Sequence, residues 1–210
     1  MNEFLKKVLV RLAVIATVLA ILAILGYALV WYVGKTNPQT NIKTSVTKTS
    51  VVTEALSFYA GGDKIEGVVY RPEDADKGHP AVIYCQDASY GDRWCREMAG
   101  LGYIAYCFDM GDGEKERADK LKKVIEKIRD SRFADKKKVY LLGEGNGCPA
   151  ACVAAFDNPD KLAGLILLSP GFNPLEVYRK AKRFRKPILV VDSSLGIKKN
   201  VEEIAEYIGR

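Results

Sequence analysis

The residues best placed to do chemistry lie together in Lys138 to Ala155, KVYLLGEGNGCPAACVAA. A β-branched and aliphatic run breaks at a glycine cluster and resumes as an alanine-rich stretch, which reads as strand, sharp turn and helix. So tight a turn holds one residue at positive φ, where glycine is at ease, and the spacing gives that place to Gly145. Cys148 follows in the first helical turn, where unsatisfied N–H groups lower a thiol's pKa and favour a nucleophile. A small buried cysteine is the competing reading. Cys148 and Cys152 share a helix face at i and i+4, but no further ligands accompany them, so no metal site is expected. Gly143-x-Gly145 opens like a dinucleotide fingerprint. Its third glycine is Cys148 and the motif falls in mid-sheet, so no cofactor is implied. The single histidine, His79, stands in a Gly-His-Pro approach to a strand. Hydrolytic triads and most transition-metal sites need histidine in a definite place, so this count restricts both.

The elements that must position these residues follow from patterning. Val51 to Tyr59 and Ile65 to Tyr70 flank Gly61-Gly62-Asp63, two strand-like runs around a tight-turn signal, and predict an antiparallel hairpin. From Ala81 onward, continuous apolar strands alternate with helices: AVIYC, a helix over Trp94 to Leu101, YIAYCFD, a helix around Leu121 to Ile128, and VYLLG. A helix over Pro149 to Phe156, LAGLILLSP, a helix about Leu175 to Phe184, PILVVD and a helix from Val201 to Ile208 complete the chain. Buried strands without alternation, separated by helices, indicate a mostly parallel α/β sheet covered on both faces. Lys136 to Lys138 read as an exposed turn, and Asp192, at the end of PILVVD, as a cap for the turn that follows.

The front of the chain is different. Lys6, Lys7 and Arg11 are opposed only by Glu3, and residues 12–34 carry no charge. Such an apolar length can cross a bilayer, and Trp31 and Tyr32 fit an interfacial belt. The N-terminal positives keep that end in the cytoplasm and predict a single-pass membrane protein with an extracytoplasmic domain. A cleaved signal peptide competes, but its apolar region is shorter and ends in small residues, not in Trp-Tyr-Val-Gly. Residues 35–50 (KTNPQTNIKTSVTKTS) are polar and without apolar period, a solvated tether to a folded domain over 51–210. Past residue 34, 29 Lys and Arg face 25 Asp and Glu, too mixed a balance to imply nucleic acid. Arg179 to Lys186 places six cations in eight residues around Phe184. It reads as a contact for anionic lipid or cell-wall polymer, or as a solvated helix face.

From Val51 to Arg210 the chain resembles the α/β-hydrolases, particularly dienelactone-hydrolase-like and peptidase-like members. The carrying residues are Tyr70-Arg71-Pro72, the strand Pro80 to Cys85 with the helix bearing Trp94 and Met98, and Leu101 to Ala105. To these are added Phe108-Asp109 with Gly111 and Gly113, the elbow Leu142 to Gly147, Leu168-Ser169-Pro170, and Lys186 to Val191. The resemblance implies an α/β-hydrolase-like sheet with an N-terminal antiparallel hairpin and no large lid, since only one helix fits between Ser169 and Pro187. It also sets the strands ending at Cys85 and Cys107 side by side, so these cysteines either form a disulfide or pack in the core.

Departures from the family pattern bear most on function. The elbow reads Gly143-Glu144-Gly145-Asn146-Gly147, so Gly145 stands where the family carries its nucleophile, three residues before Cys148. The family's acid falls near Gly196, and its histidine would lie beyond the helix ending at Ile208, where the chain stops. The His-Gly pair after the AVIYC strand is replaced by Gln86-Asp87, and a carboxylate at Asp87 opposes charge developing in an oxyanion hole. The resemblance therefore implies a pseudo-hydrolase whose vestigial pocket, at Gln86, Asp87, Gly145 and Asn146, binds a ligand or a protein partner. An active ester, thioester or peptide hydrolase, with an unconventional nucleophile or a partner-supplied histidine, is the alternative.

Overall fold

A computed structural model describes residues 49–60, 62–86, 88–111, 113–172 and 184–209. The anchor over 12–34 and nearly all of the tether lie outside these residues, as do Asp87, Arg179 to Arg183 and most of the helix expected at 175–184. Among the described residues no helix is long and apolar enough to cross a membrane.

Seven strands form one sheet. β1 (Val51–Ala60) and β2 (Asp63–Pro72) make the expected hairpin, paired antiparallel from Val51↔Pro72 to Ala60↔Asp63. β2 also runs antiparallel to β4 (Ile104–Phe108). The remaining neighbours are parallel: β4 with β3 (His79–Cys85), β3 with β5 (Ala134–Glu144), β5 with β6 (Gly164–Leu168), and β6 with β7 (Ile188–Val191). The sheet order is β1-β2-β4-β3-β5-β6-β7. β3, β4 and β6 are buried on both faces, which is why their sequences run apolar without alternation.

Helices cover both faces. α1 (Ala88–Gly100) and α4 (Ile197–Gly209) share one core with Tyr84, Leu142, Leu168 and Val191, built around Trp94, Met98, Val201 and Ile204. α2 (Glu114–Arg129) and α3 (Gly147–Asp157) share the other with Cys85, Tyr106 and Leu141. In α2 the buried residues Ala118, Leu121, Val124, Ile125 and Ile128 recur at helical spacing. Glu114 and Glu116 sit in its first turn and Lys127 and Arg129 in its last, complementing the helix dipole. α3 buries small residues on nearly every side, because it is wedged between the sheet and α2.

Two expectations are corrected, and the choice left open for Cys85 and Cys107 falls to core packing. α1 and α2 begin six and seven residues ahead of the predicted starts, at Ala88 and Glu114, because their first turns carry no apolar period. Lys136 to Lys138 are not a turn: they are exposed residues of β5, whose first residue, Ala134, pairs with His79. No disulfide joins Cys85 to Cys107. Tyr84, not Cys85, is in register with Cys107, so alternation sends the two thiols into opposite cores.

Candidate functional site

The site-bearing edge is the one at which the parallel strands end and α1, α3 and α4 begin, the usual ligand edge of such sheets. β5 ends at Glu144 and α3 starts at Gly147, so the chain reverses within two residues. Gly145 takes φ +48°, the left-handed conformation expected for the elbow. Its N–H donates to Leu168 O at 3.1 Å, which ties the elbow to the end of β6. The flanking glycines have a different reason. A Cβ at Gly143 would lie 2.8 Å from Cys148 Cα, and one at Gly147 would overlap the Cys85 carbonyl. Both are glycine because strand and helix backbones touch there.

Gln86 reaches over this turn from the end of β3. Its side-chain Oε1 accepts the Gly147 N–H at 3.3 Å, satisfying one of the orphan donors at the start of α3. Both amide atoms of Gln86 lie 4.0 Å from the position a Cβ would take at Gly145. Asn146 is the N-cap of α3, exposed and without a side-chain capping bond. The structure thus brings Gln86, Gly145 and Asn146 together, while Asp87 lies outside the described residues.

Cys148 is fully buried and its thiol donates to Leu168 O at 3.6 Å. Burial pushes its pKa up to about 12, against the lowering expected at a helix N-terminus. Glu144 faces the α1 side and accepts the phenol proton of Tyr84; burial and this bond push the Tyr84 pKa well up. His79 stands at the opposite end of the sheet. Its Nδ1 lies 2.9 Å from Gly102 O and its Nε2 3.5 Å from Asp76. Six residues at about 3.3 Å each put its backbone roughly 20 Å from the elbow edge.

A polar cluster that the sequence does not announce sits beside the elbow, where β6 and β7 end. Ser169 has φ +42°, positive without being glycine, at a backbone cost of about 1–3 kcal/mol. Its Oγ accepts the Ser193 N–H at 2.9 Å, lies 2.7 Å from Ser193 Oγ and donates to Asp192 Oδ1 at 3.5 Å. Asp192 also accepts the Ser194 N–H at 2.9 Å and caps a 3₁₀ turn over Ser193–Leu195, the capping role expected of it. The Ser194 N–H leads the contacts that hold the Asp192 carboxyl below the usual carboxylate range. Ser-Pro after an apolar strand was the available signal, but its partners are more than twenty residues away. Among the described residues no cluster of three or more metal-ligating side chains occurs.

No family model and no curated protein matches the sequence. Solved structures do match the fold. A protein assigned as a dienelactone hydrolase from Klebsiella pneumoniae superposes with TM-score 0.60 at 15% identity, covering 77% of this chain and 100% of its own. One assigned as a dipeptidyl aminopeptidase IV from Bacteroides ovatus gives 0.58 at 13%, covering 78% of this chain and 36% of its own. An esterase from Pyrobaculum calidifontis gives 0.52 at 21%, covering 60% and 47%. The chain thus spans less than half of the peptidase and the esterase, and the whole of the dienelactone hydrolase. Strand order, hairpin, glycine elbow and these superpositions agree: the chain has the α/β-hydrolase fold.

Proposed function

We propose that this protein is a membrane-anchored binding or scaffold module that keeps the hydrolase fold without its hydrolytic chemistry. The observation that carries the reading is the elbow itself. Gly145 offers no hydroxyl or thiol, and the Gln86 amide already occupies the Gly147 N–H beside it. Cys148, the nearest thiol, is buried and poorly ionised, and His79 lies at the far end of the sheet. In this reading residues 12–34 hold the domain at the cell membrane with its N-terminus in the cytoplasm. Arg179 to Lys186 meets anionic lipid or cell-wall polymer, and the rim at Gln86, Asp87, Gly145 and Asn146 receives a ligand or a protein partner.

One observation favours the alternative, an ester, thioester or peptide hydrolase with an unconventional nucleophile or a histidine supplied by a partner chain. Ser169 is exposed, strained and bonded to a carboxylate at the right edge of the sheet. A lowered pKa makes Asp192 a poor base, which weighs against that reading. The test is turnover of short-chain acyl esters, thioesters and aminoacyl substrates by the full chain in detergent, beside Ser169→Ala and Cys148→Ala. The expected result is no turnover by any of the three. Turnover by the parent that disappears in one variant would establish the hydrolase and name its nucleophile.

A further inference from the structure

The five cysteines are all buried, and the sheet sorts them into two sets. Cys85, Cys148 and Cys152 belong to the core under α2 and α3. Cys95 and Cys107 belong to the core under α1. The second set meets at the α1–β4 interface, where both side chains are buried in one cluster. The helix backbone reinforces the approach. Gly91 lies one turn before Cys95, and a Cβ there would overlap Cys107 Sγ and stand 2.7 Å from Tyr84 Cδ1. Glycine at 91 therefore lets α1 settle directly onto the Cys107 sulfur, with Cys95 on the same helix face.

We propose that Cys95 and Cys107 are a disulfide-forming pair that fastens α1 to β4 when the domain folds in an oxidising environment. The consequence reaches the candidate site. α1 begins two residues after Gln86, so a bond from its middle to the end of β4 fixes the segment that delivers Gln86 to the elbow. Burial pushes the Cys95 thiol pKa well up, so the bond forms during folding, before the helix closes over the sulfurs. With glutathione disulfide as oxidant, one thiolate attacks a glutathione sulfur and expels a glutathione thiolate. The second cysteine then displaces the other glutathione, leaving the protein two hydrogens lighter and yielding two molecules of reduced glutathione.

The test uses the full chain in detergent micelles, taken through urea and back in a glutathione redox buffer, then alkylated, digested and analysed by mass spectrometry. The expected product carries a Cys95–Cys107 link, with Cys85, Cys148 and Cys152 alkylated. The link survives Cys85→Ser and is lost in Cys95→Ser. In the parent, dithiothreitol raises the unfolding equilibrium constant about 100-fold, the effect of opening a loop of this length. Alkylation of all five thiols after the oxidising cycle, or a link through Cys85, Cys148 or Cys152, overturns the pairing. Because the buffer sets the redox conditions, neither outcome depends on which side of the membrane the domain occupies.

Discussion

Alanine at the two ends of the elbow turn should separate conformational strain from steric exclusion. At Gly145 the space is open, since the nearest atoms to a new Cβ are the Gln86 amide at 4.0 Å. Gly145→Ala therefore bears only the left-handed backbone term, about 1–2 kcal/mol. In a domain of this size that lowers the melting temperature by roughly 2–8 °C. At Gly147 the φ is ordinary and the obstacle is the strand. A new Cβ overlaps the Cys85 carbonyl oxygen and sits 2.7 Å from its carbonyl carbon, against about 3.5–4.0 Å for a relaxed carbon contact. Neither atom belongs to a flexible side chain, so α3 must lift from β3 by on the order of 1 Å along a face made of buried Ala150, Ala151 and Ala154. The cost should exceed the roughly 1–3 kcal/mol of ordinary overpacking and reach about 4 kcal/mol, a large share of a domain's total stability. Calorimetric melting of the full chain in detergent reads both, with Gly147→Ala losing about 10 °C or more, or failing to fold. A Gly147→Ala protein melting within about 2 °C of the parent would refute the close strand–helix approach.

Thiol accessibility and acid stability give two further tests. Cys148, with its pKa pushed up to about 12, should resist maleimide at pH 8 in the folded protein and react fully in urea, as read by mass spectrometry of its peptide. The Asp92 carboxyl is held below its usual range first by the Tyr70 phenol, which donates to it at 2.7 Å, and then by Arg96. Its folded pKa lies below the unfolded value of about 3.9, so its stabilising contribution is complete above that value. The contribution is lost as the pH falls through the folded pKa. Melting temperature should therefore drop more steeply below about pH 4 in the parent than in Asp92→Asn. Equal slopes would show that the Tyr70–Asp92 contact adds nothing to acid stability.

Burial on both faces made the sheet legible. AVIYC, YIAYCF and GLILL are apolar throughout, as strands covered above and below are, and their shortness and β-branched and aromatic content set them apart from buried helices. The elbow was legible for a related reason, since three glycines at alternate positions between such a strand and an alanine-rich helix leave few conformations open. Helix starts were not, because the first turns of α1 and α2 carry no apolar stripe in sequence. The cysteine pairing was not legible either. Strand order alone makes Cys85 and Cys107 neighbours, whereas the pairing is decided by a one-residue register, Tyr84 opposite Cys107, that composition does not encode. Gln86 was placed at the elbow by the resemblance, but its bond to the Gly147 N–H was not legible, since that partner is 61 residues further along the chain.

Gln86 and Gly145 are best understood as one adaptation. A catalytic elbow keeps its helix N–H groups vacant for an anion that exists only in the transition state, and holds a strained side chain in readiness beside them. Here the N–H of Gly147, two residues past the elbow position, is capped from within the protein, and the strained position is given to the residue that bears no strain. In the proposed binding-module reading, both features stabilise the ground state of the fold where a hydrolase would store strain. Replacing Gln86 by alanine should accordingly cost about 1 kcal/mol and uncover the Gly147 N–H without creating turnover, since neither nucleophile nor base appears. Hydrolysis gained by Gln86→Ala would mean that the amide inhibits a working centre, and the binding-module proposal would then fail.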